Sequence, residues 1–268
     1  VNDVIKIIEE KIDSLLKNNT IMDKLFSPDN NIDGKPFIKY GRDFLIFVPL
    51  ASNAVKIKNF IDTNYKKGLY KYKPYTIVFT KNTVGLENEI ATGKNGLEKI
   101  EESNDYQFKI IIATPVAESS ITFQDPLAYV LEGGLGFSNK FNGKNYGFNM
   151  GTAFVTDANI EQRCGRTGRI NNGICIHIYS KMQFEKIFPR FPDPDIMHQD
   201  ITSALLGITN LPDILNLQNC VKFLGKMIEP ISNYKDNAKV CINNLLEYDC
   251  VDSKGVLSPL GKICDNFG

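Results

Sequence analysis

Lys109-Ile110-Ile111-Ile112-Ala113-Thr114 is the stretch from which the fold can be read. Its apolar run is too short to cross a bilayer and too continuous for a strand with one wet face, so it predicts a strand in the middle of a parallel sheet. Similar runs lie on either side of it. Upstream, Asp43 to Leu50 reads as a buried strand ending at Pro49, Ala51 to Thr63 as the helix after it, and Tyr75 to Thr80 as another strand. Downstream, Leu127 to Leu131 and Gly173 to Tyr179 complete the set. Strands separated by helical segments argue for a doubly wound α/β domain over residues 36–185.

The flanks have a different character. Val4, Ile5, Ile8, Ile12, Leu15 and Leu16 recur at helical spacing, predicting one amphipathic helix from Val1 to Leu25 and, with the polar stretch after it, an N-terminal segment 1–35. The chain begins without methionine, which suggests a piece of a longer polypeptide. Between Gly134 and Gly151, aromatic flanks surround Asn142-Gly143, the strongest two-residue hairpin signal, because both central positions of a type I′ turn need positive φ. A protruding β-hairpin is expected there, with a disordered loop as the bland alternative. Pro189, Pro192 and Pro194 then mark an irregular boundary, followed by helical spacing from Asp195 to Leu206. Residues 186–268 read as a small, mostly helical domain. Its tail runs as a helix from Ala238, a turn at Asp252 to Gly255, a short strand at Val256-Leu257 and a new helix near Pro259.

Chemistry concentrates in Gln162-Arg163-Cys164-Gly165-Arg166-Thr167-Gly168-Arg169. On a helix, Gln162, Arg166 and Arg169 share one face while Arg163 points elsewhere. Guanidinium groups carry fixed charge and a planar donor fork suited to phosphate oxygens. Two glycines inside four residues cost a helix roughly 1 kcal/mol each, which a purely structural helix has little reason to bear. The octapeptide therefore points to nucleoside triphosphate chemistry, with a solvated arginine-rich turn as the bland reading. Thr156 is placed to cap this helix.

Lysine plus arginine equals aspartate plus glutamate at 31 each, so no global basic field draws nucleic acid to the chain. The richest local patch is Lys56 to Lys73, where six lysines and four aromatic residues face Asp62 as the sole acid; a solvated loop and helix end is its simpler reading. The cysteines at 164, 175, 220, 241, 250 and 264 form no CxxC pair and no metal-ligand spacing with His177 or His198, so no metal is expected. They read as reduced core thiols of an intracellular, reducing setting. No stretch is long and apolar enough for a membrane span, and no membrane partner is expected.

Two motifs together carry a family resemblance. Ala113-Thr114-Pro115-Val116-Ala117-Glu118-Ser119-Ser120-Ile121-Thr122 followed by the octapeptide resembles motifs V and VI of superfamily two DExH helicases, particularly the DEAH-box type and its poxvirus and flavivirus-like relatives. Ile46 to Asn53 looks like motif IV, and Ile242 to Gly261 is similar to the winged-helix ending of DEAH-type proteins. The resemblance implies a second RecA-like domain with a protruding hairpin, then a winged helix. The first RecA-like domain, on the same polypeptide, would be the partner across the nucleotide cleft.

No Gly-x-x-x-x-Gly-Lys-Ser/Thr loop and no Asp-Glu-x-His occurs here, so ATP (or another NTP) and Mg²⁺ would be held mainly by that absent domain, and this piece alone should not hydrolyse nucleotide. By resemblance Arg166 and Arg169 are arginine fingers, Gln162 positions the attacking water, and Gly165 and Gln124 also line the nucleotide. Thr114, Ser119, Ser120, Thr122, Ser52 and Asn53 would contact the phosphates of an RNA strand, with Phe137 to Phe148 placed to split a duplex. Three positions depart from the pattern: Gln124 where an acid is usual, Pro115 for Asn or Asp, and Glu132-Gly133-Gly134 for Asp-Ser/Thr-Gly. Glu118 is either a ligand-coupling residue or a structural hydrogen-bond partner, and His177 reads as structural. A degenerate helicase-like binding module and a DNA helicase of the same superfamily are the alternative readings.

Overall fold

The computed structural model describes residues 2–27, 41–100, 105–118, 121–142, 147–169, 171–194, 198–227 and 234–267. They divide into two compact units, Val1–Phe137 with Thr152–Pro192, and Ser138–Gly151 with Asp193–Gly268.

The first unit opens with α1 (Asn2–Lys17) and α2 (Asn19–Phe26). The single helix expected here breaks at Asn18, whose side chain accepts the Ile21 amide at 3.1 Å and starts a new helix instead of continuing the old one. Then follow β1 (Asp43–Phe47), α3 (Ala51–Lys66), β2 (Pro74–Phe79), α4 (Gly85–Thr92), β3 (Phe108–Ala113) and β4 (Leu127–Glu132). After a two-stranded ribbon of β5 (Leu135–Asn142) and β6 (Gly147–Phe154) come α5 (Asp157–Cys164), β7 (Ile174–His177) and α6 (Lys181–Ile187). The turn that contains Gly143, where the Asn-Gly hairpin turn is expected, lies outside the described residues.

Five strands pair in parallel in the order β2-β3-β1-β4-β7. The middle strand is β1, with β3 beside it, and every residue of β1, β3 and β4 is buried. Alternation sends Phe44, Ile46, Ile110 and Ile112 to a layer formed with Ile5, Ile8 and Ile12 of α1 and Ile57 and Ile61 of α3. Leu45, Phe47, Ile77 and Ile111 face the opposite layer with Ile90 and Ala91 of α4. Both faces are dry, which is why the strands carry continuous apolar runs.

One charge lies inside this apolar setting. Lys109, 1% exposed at the start of β3, places its ammonium 3.2 Å from Asp43 and 2.5 Å from Asp125, and donates to the Ile90 carbonyl at 3.1 Å. Asp125 also accepts the amides of Asn95 and Gly96. The cluster ties the amino ends of β1 and β3 to the approach to β4.

The second unit holds α7 (Thr202–Thr209), α8 (Leu217–Met227), α9 (Tyr234–Glu247) and α10 (Pro259–Asn266) around Leu205, Leu206, Cys220, Cys241, Leu245 and Val251. The helix expected from Asp195 starts only at Thr202, where the Asp200 carboxylate accepts the amide at 2.9 Å and the hydroxyl at 2.5 Å. Asp252 turns the chain by accepting the amides of Lys254 and Val256, Val251 bridges Leu257 in antiparallel sense, and Ser258 caps α10 ahead of Pro259. Phe141 of the ribbon packs on this core and donates its amide to the His198 carbonyl at 2.7 Å.

Candidate functional site

A doubly wound sheet offers ligands a crevice at the carboxyl ends of neighbouring strands whose outgoing connections diverge, here β1 and β4. Arg163 fills that place. Its side chain, 1% exposed, donates from Nε to Glu118 at 2.6 Å, from Nη1 to Glu132 at 2.5 Å and to the Leu135 carbonyl at 3.1 Å, and from Nη2 again to Glu118. The guanidinium lies 5.0 Å from the centre of the Phe47 ring. Glu118 also accepts from Asn159 at 2.9 Å, and Glu132 from the Gly134 amide. Burial opposes the charge on Arg163, yet the two carboxylates outweigh it and hold the guanidinium above its ordinary pKa. Burial also raises the pKa of Glu132, against the pull of Arg163. Of the two roles open to Glu118, its side chain takes the structural one, and Glu132 is spent the same way.

Thr156 caps α5 as expected, in a reciprocal capping box with Asn159. The helix then stops at Cys164, so the single face shared by Gln162, Arg166 and Arg169 does not form. Gly168 takes φ +76°, a conformation that suits glycine, and the octapeptide becomes a helix end plus a turn. The amides of Gly165, Arg166 and Thr167 bond back to the carbonyls of Glu161, Arg163 and Cys164, which takes these three donors away from any ligand.

The side chains of this loop are arranged unequally. Arg166 donates both terminal nitrogens to the carbonyls of Glu118 and Ile121, while its Nε is buried without a partner among the described residues. Burial and the neighbouring charge of Arg169 pull its pKa below the ordinary value. Arg169 is exposed, with Nε 2.8 Å from the Gly165 carbonyl, and Gln162 and Gly165 are exposed as well. Thr167 anchors the loop through its hydroxyl to the Leu127 carbonyl at 2.8 Å. A Cβ on Gly173 would fall on that hydroxyl. Phe123, Asp125, Arg166, Thr167, Arg169 and Asn171 line a shallow depression beside the loop.

The remaining site residues divide between two places. Thr114 follows β3 and Ser52 and Asn53 open α3 after β1, and since Phe47 pairs with Ala113 these lie at the ends of adjacent strands. Ser52 is exposed, Thr114 half-buried, and Asn53 has a buried Oδ1 with no partner among the described residues. Thr122 and Gln124 are exposed on the segment that Arg166 grips, and the Gln124 amide bonds the Thr92 carbonyl at 2.9 Å. Ser119 and Ser120 lie outside the described residues. Four lysines of the basic stretch form ion pairs: Lys56 with Glu9, Lys58 with Asp62, Lys71 with Asp23 and Lys73 with Asp105.

Cysteine spacing misses one cluster. Cys164 at the end of α5 meets Cys175 and His177 of β7, their ligand atoms all within 4.8 Å of one another. The local signal is Cys-x-His on a strand, which puts both side chains on one face; the third member comes from the end of the preceding helix. The expectation of core thiols holds for Cys220, Cys241 and Cys250, whereas Cys164, Cys175 and Cys264 are partly exposed. His177 sits on an edge strand rather than in the core, its ring exposed. Among the described residues no helix is long and apolar enough to cross a membrane.

No protein-family model matches the chain. A protein of Acanthamoeba polyphaga mimivirus named for ATP-dependent RNA helicase activity, L540, is 29% identical over 227 residues, 84% of this chain and 31% of that protein. The ATP-dependent DNA/RNA helicase DHX36 of Homo sapiens is 33% identical over 153 residues, 57% of this chain and 14% of its own length. The crystal structure of the E. coli DExH-box NTPase HrpB matches with a TM-score of 0.60 at 18% identity, covering 82% of this chain and 24% of that one. The chain spans under a third of the curated relatives it matches.

Proposed function

From a chain homologous to the C-terminal part of the DExH/DEAH-box helicases, we propose a second RecA-like domain that forms one wall of an ATP site in an RNA helicase. The observation that carries this reading is Arg166, whose guanidinium holds the carbonyls of Glu118 and Ile121. That segment runs between Thr114 and Thr122, so one cation joins the triphosphate-reading loop to the strand-reading edge.

The residues fit a polyphosphate. Arg166 keeps a buried Nε in need of an acceptor, Arg169 presents a guanidinium beside it, and their mutual repulsion is relieved by an anion between them. ATP with Mg²⁺ supplies the phosphoanhydride, held mainly by the first RecA-like domain. Arg166 and Arg169 stabilise charge as the phosphoryl group transfers, and Gln162 orients the attacking water. Gly165 and Gln124 border the nucleotide. Ser52 lies in the first turn of α3, whose N-cap Leu50 offers no side-chain acceptor, which leaves that helix end suited to a phosphate. With Asn53, Thr114, Ser119, Ser120 and Thr122 it would grip an RNA backbone without reading bases. The second unit takes the place of a winged helix, and the β5–β6 ribbon that of the strand-splitting hairpin.

The test is nucleic-acid-stimulated ATPase of the full-length protein, with RNA and DNA supplied separately. Arg166→Ala and Arg169→Ala should abolish stimulated turnover while leaving RNA affinity near wild type. Unchanged turnover would favour a degenerate binding module, and stimulation by DNA alone a DNA helicase.

A further inference from the structure

We propose that Cys164, Cys175 and His177 form a soft-metal site, of the kind that takes Zn²⁺, fastening the root of the arginine loop to the edge strand β7. The three ligand atoms lie within 4.8 Å of one another, with Cys164 Sγ 4.0 Å from His177 Nε2. Zinc bonds of about 2.3 Å to sulfur and 2.0 Å to nitrogen require ligand separations of about 3.5–3.8 Å in a tetrahedron. Side-chain rotation of an ångström or less closes that difference without moving the backbone.

The histidine is oriented for such a role. Its Nδ1 lies 2.8 Å from the Tyr179 hydroxyl, a contact that holds the ring with Nε2 toward the Cys164 sulfur. A ligating imidazole needs this kind of support on its far nitrogen. Tyr179 is in turn stacked with Phe184 and packed on Phe188 at ring separations of 6.2 and 4.7 Å. Cys164 and His177 also line a groove of about 390 Å³ with Asp157, Glu161, Lys181 and Phe184. The fourth coordination position therefore opens to solvent, where water completes the shell. A Cys164–Cys175 disulfide would leave the oriented histidine without a use, which is why metal is the better reading.

Both thiols lose their protons on binding, so uptake of one Zn²⁺ releases two protons when both start as thiols. Since Cys164 directly precedes Gly165 and Arg166, occupancy fixes the point from which the arginine loop departs.

The test uses the full-length protein, reduced and stripped by chelator, then titrated with Co²⁺ and back-titrated with Zn²⁺. One equivalent should show a thiolate-to-Co²⁺ charge-transfer band that Zn²⁺ displaces. Cys164→Ser and Cys175→Ser should each remove that equivalent, His177→Gln should weaken it at least tenfold, and Cys250→Ser should keep it. A second measurement needs no variant: Zn²⁺ should slow alkylation of Cys164 and Cys175, read by peptide mass spectrometry, and leave Cys264 unaffected. Equal alkylation with and without Zn²⁺, an unchanged equivalent in Cys164→Ser, or a Cys164–Cys175 disulfide in place of metal uptake would each overturn the proposal.

Discussion

At the amino end of the sheet Lys109 sits between Asp43 and Asp125; at the carboxyl end Arg163 sits between Glu118 and Glu132. Both are buried cations held by two carboxylates, yet they do different work. Lysine is a point charge, and its cluster closes on itself through the Ile90 carbonyl. Arginine is a fork, and each prong positions a different segment: Glu118 after β3, Glu132 at the end of β4, and the Leu135 carbonyl where the ribbon begins. Beyond Arg163 the chain continues into groups with spare capacity, namely Arg166 Nε, the Arg169 guanidinium and Gln162. One end of the sheet is a fastening, and the other is a fastening with an arginine-bearing loop attached.

The largest effect that would break this comparison is on turnover. Arg166→Ala should lower stimulated ATPase by at least ~10³-fold, the range of a lost arginine finger, while the freed Glu118 and Ile121 carbonyls cost only about 1–2 kcal/mol in chemical denaturation. If stability falls as far as in Arg163→Met with turnover per folded molecule kept, Arg166 belongs with Arg163 as a fastener. Next, Arg163→Met leaves Glu132 buried with its cation gone, and should cost about 3–5 kcal/mol in chemical denaturation. An unshifted midpoint would mean that the pair is replaceable and the carboxyl end is not specially built. Lys109→Met should cost about 3 kcal/mol, the lower end of that range, because Asp125 reaches water and keeps the amides of Asn95 and Gly96, while buried Asp43 keeps the backbone amide of residue 109. Turnover per folded molecule should not change in that variant. Thr156→Ala should cost about 1 kcal/mol, the usual worth of an N-cap, measured as a small fall in the same midpoint.

Much of the fastening was illegible in the chain, while the layers were not. Ile110 to Ala113 and Phe44 to Val48 announce doubly covered strands because burial on both faces leaves a continuous run. Thr156 announces its helix because capping is local. Helical spacing turns Arg163 away from Arg166 but does not say what it meets; that is decided by Glu118 and Glu132, distant in sequence, closing around it. The end of α5 at Cys164 was hidden by helical spacing that continues on paper through Gly165 and Gly168. The break at Asn18 was missed for the opposite reason: apolar periodicity survives it, and a capping side chain interrupts the backbone without changing the pattern. Cys164 and Cys175 match no metal spacing, since a strand and a helix end supply their ligands at an interval the fold alone determines.

The ribbon has a consequence for synthesis. Ser138–Gly151 completes a unit whose other residues begin at Asp193, so its tip leaves the ribosome before the helices that shelter Phe141 exist. Until then Phe141, packed edge to face on Phe148 at 5.6 Å, lacks the cover of that core. A transcript ending near Pro192 would make that interval permanent, turning a folding delay into a sticky aromatic finger and an aggregation hazard.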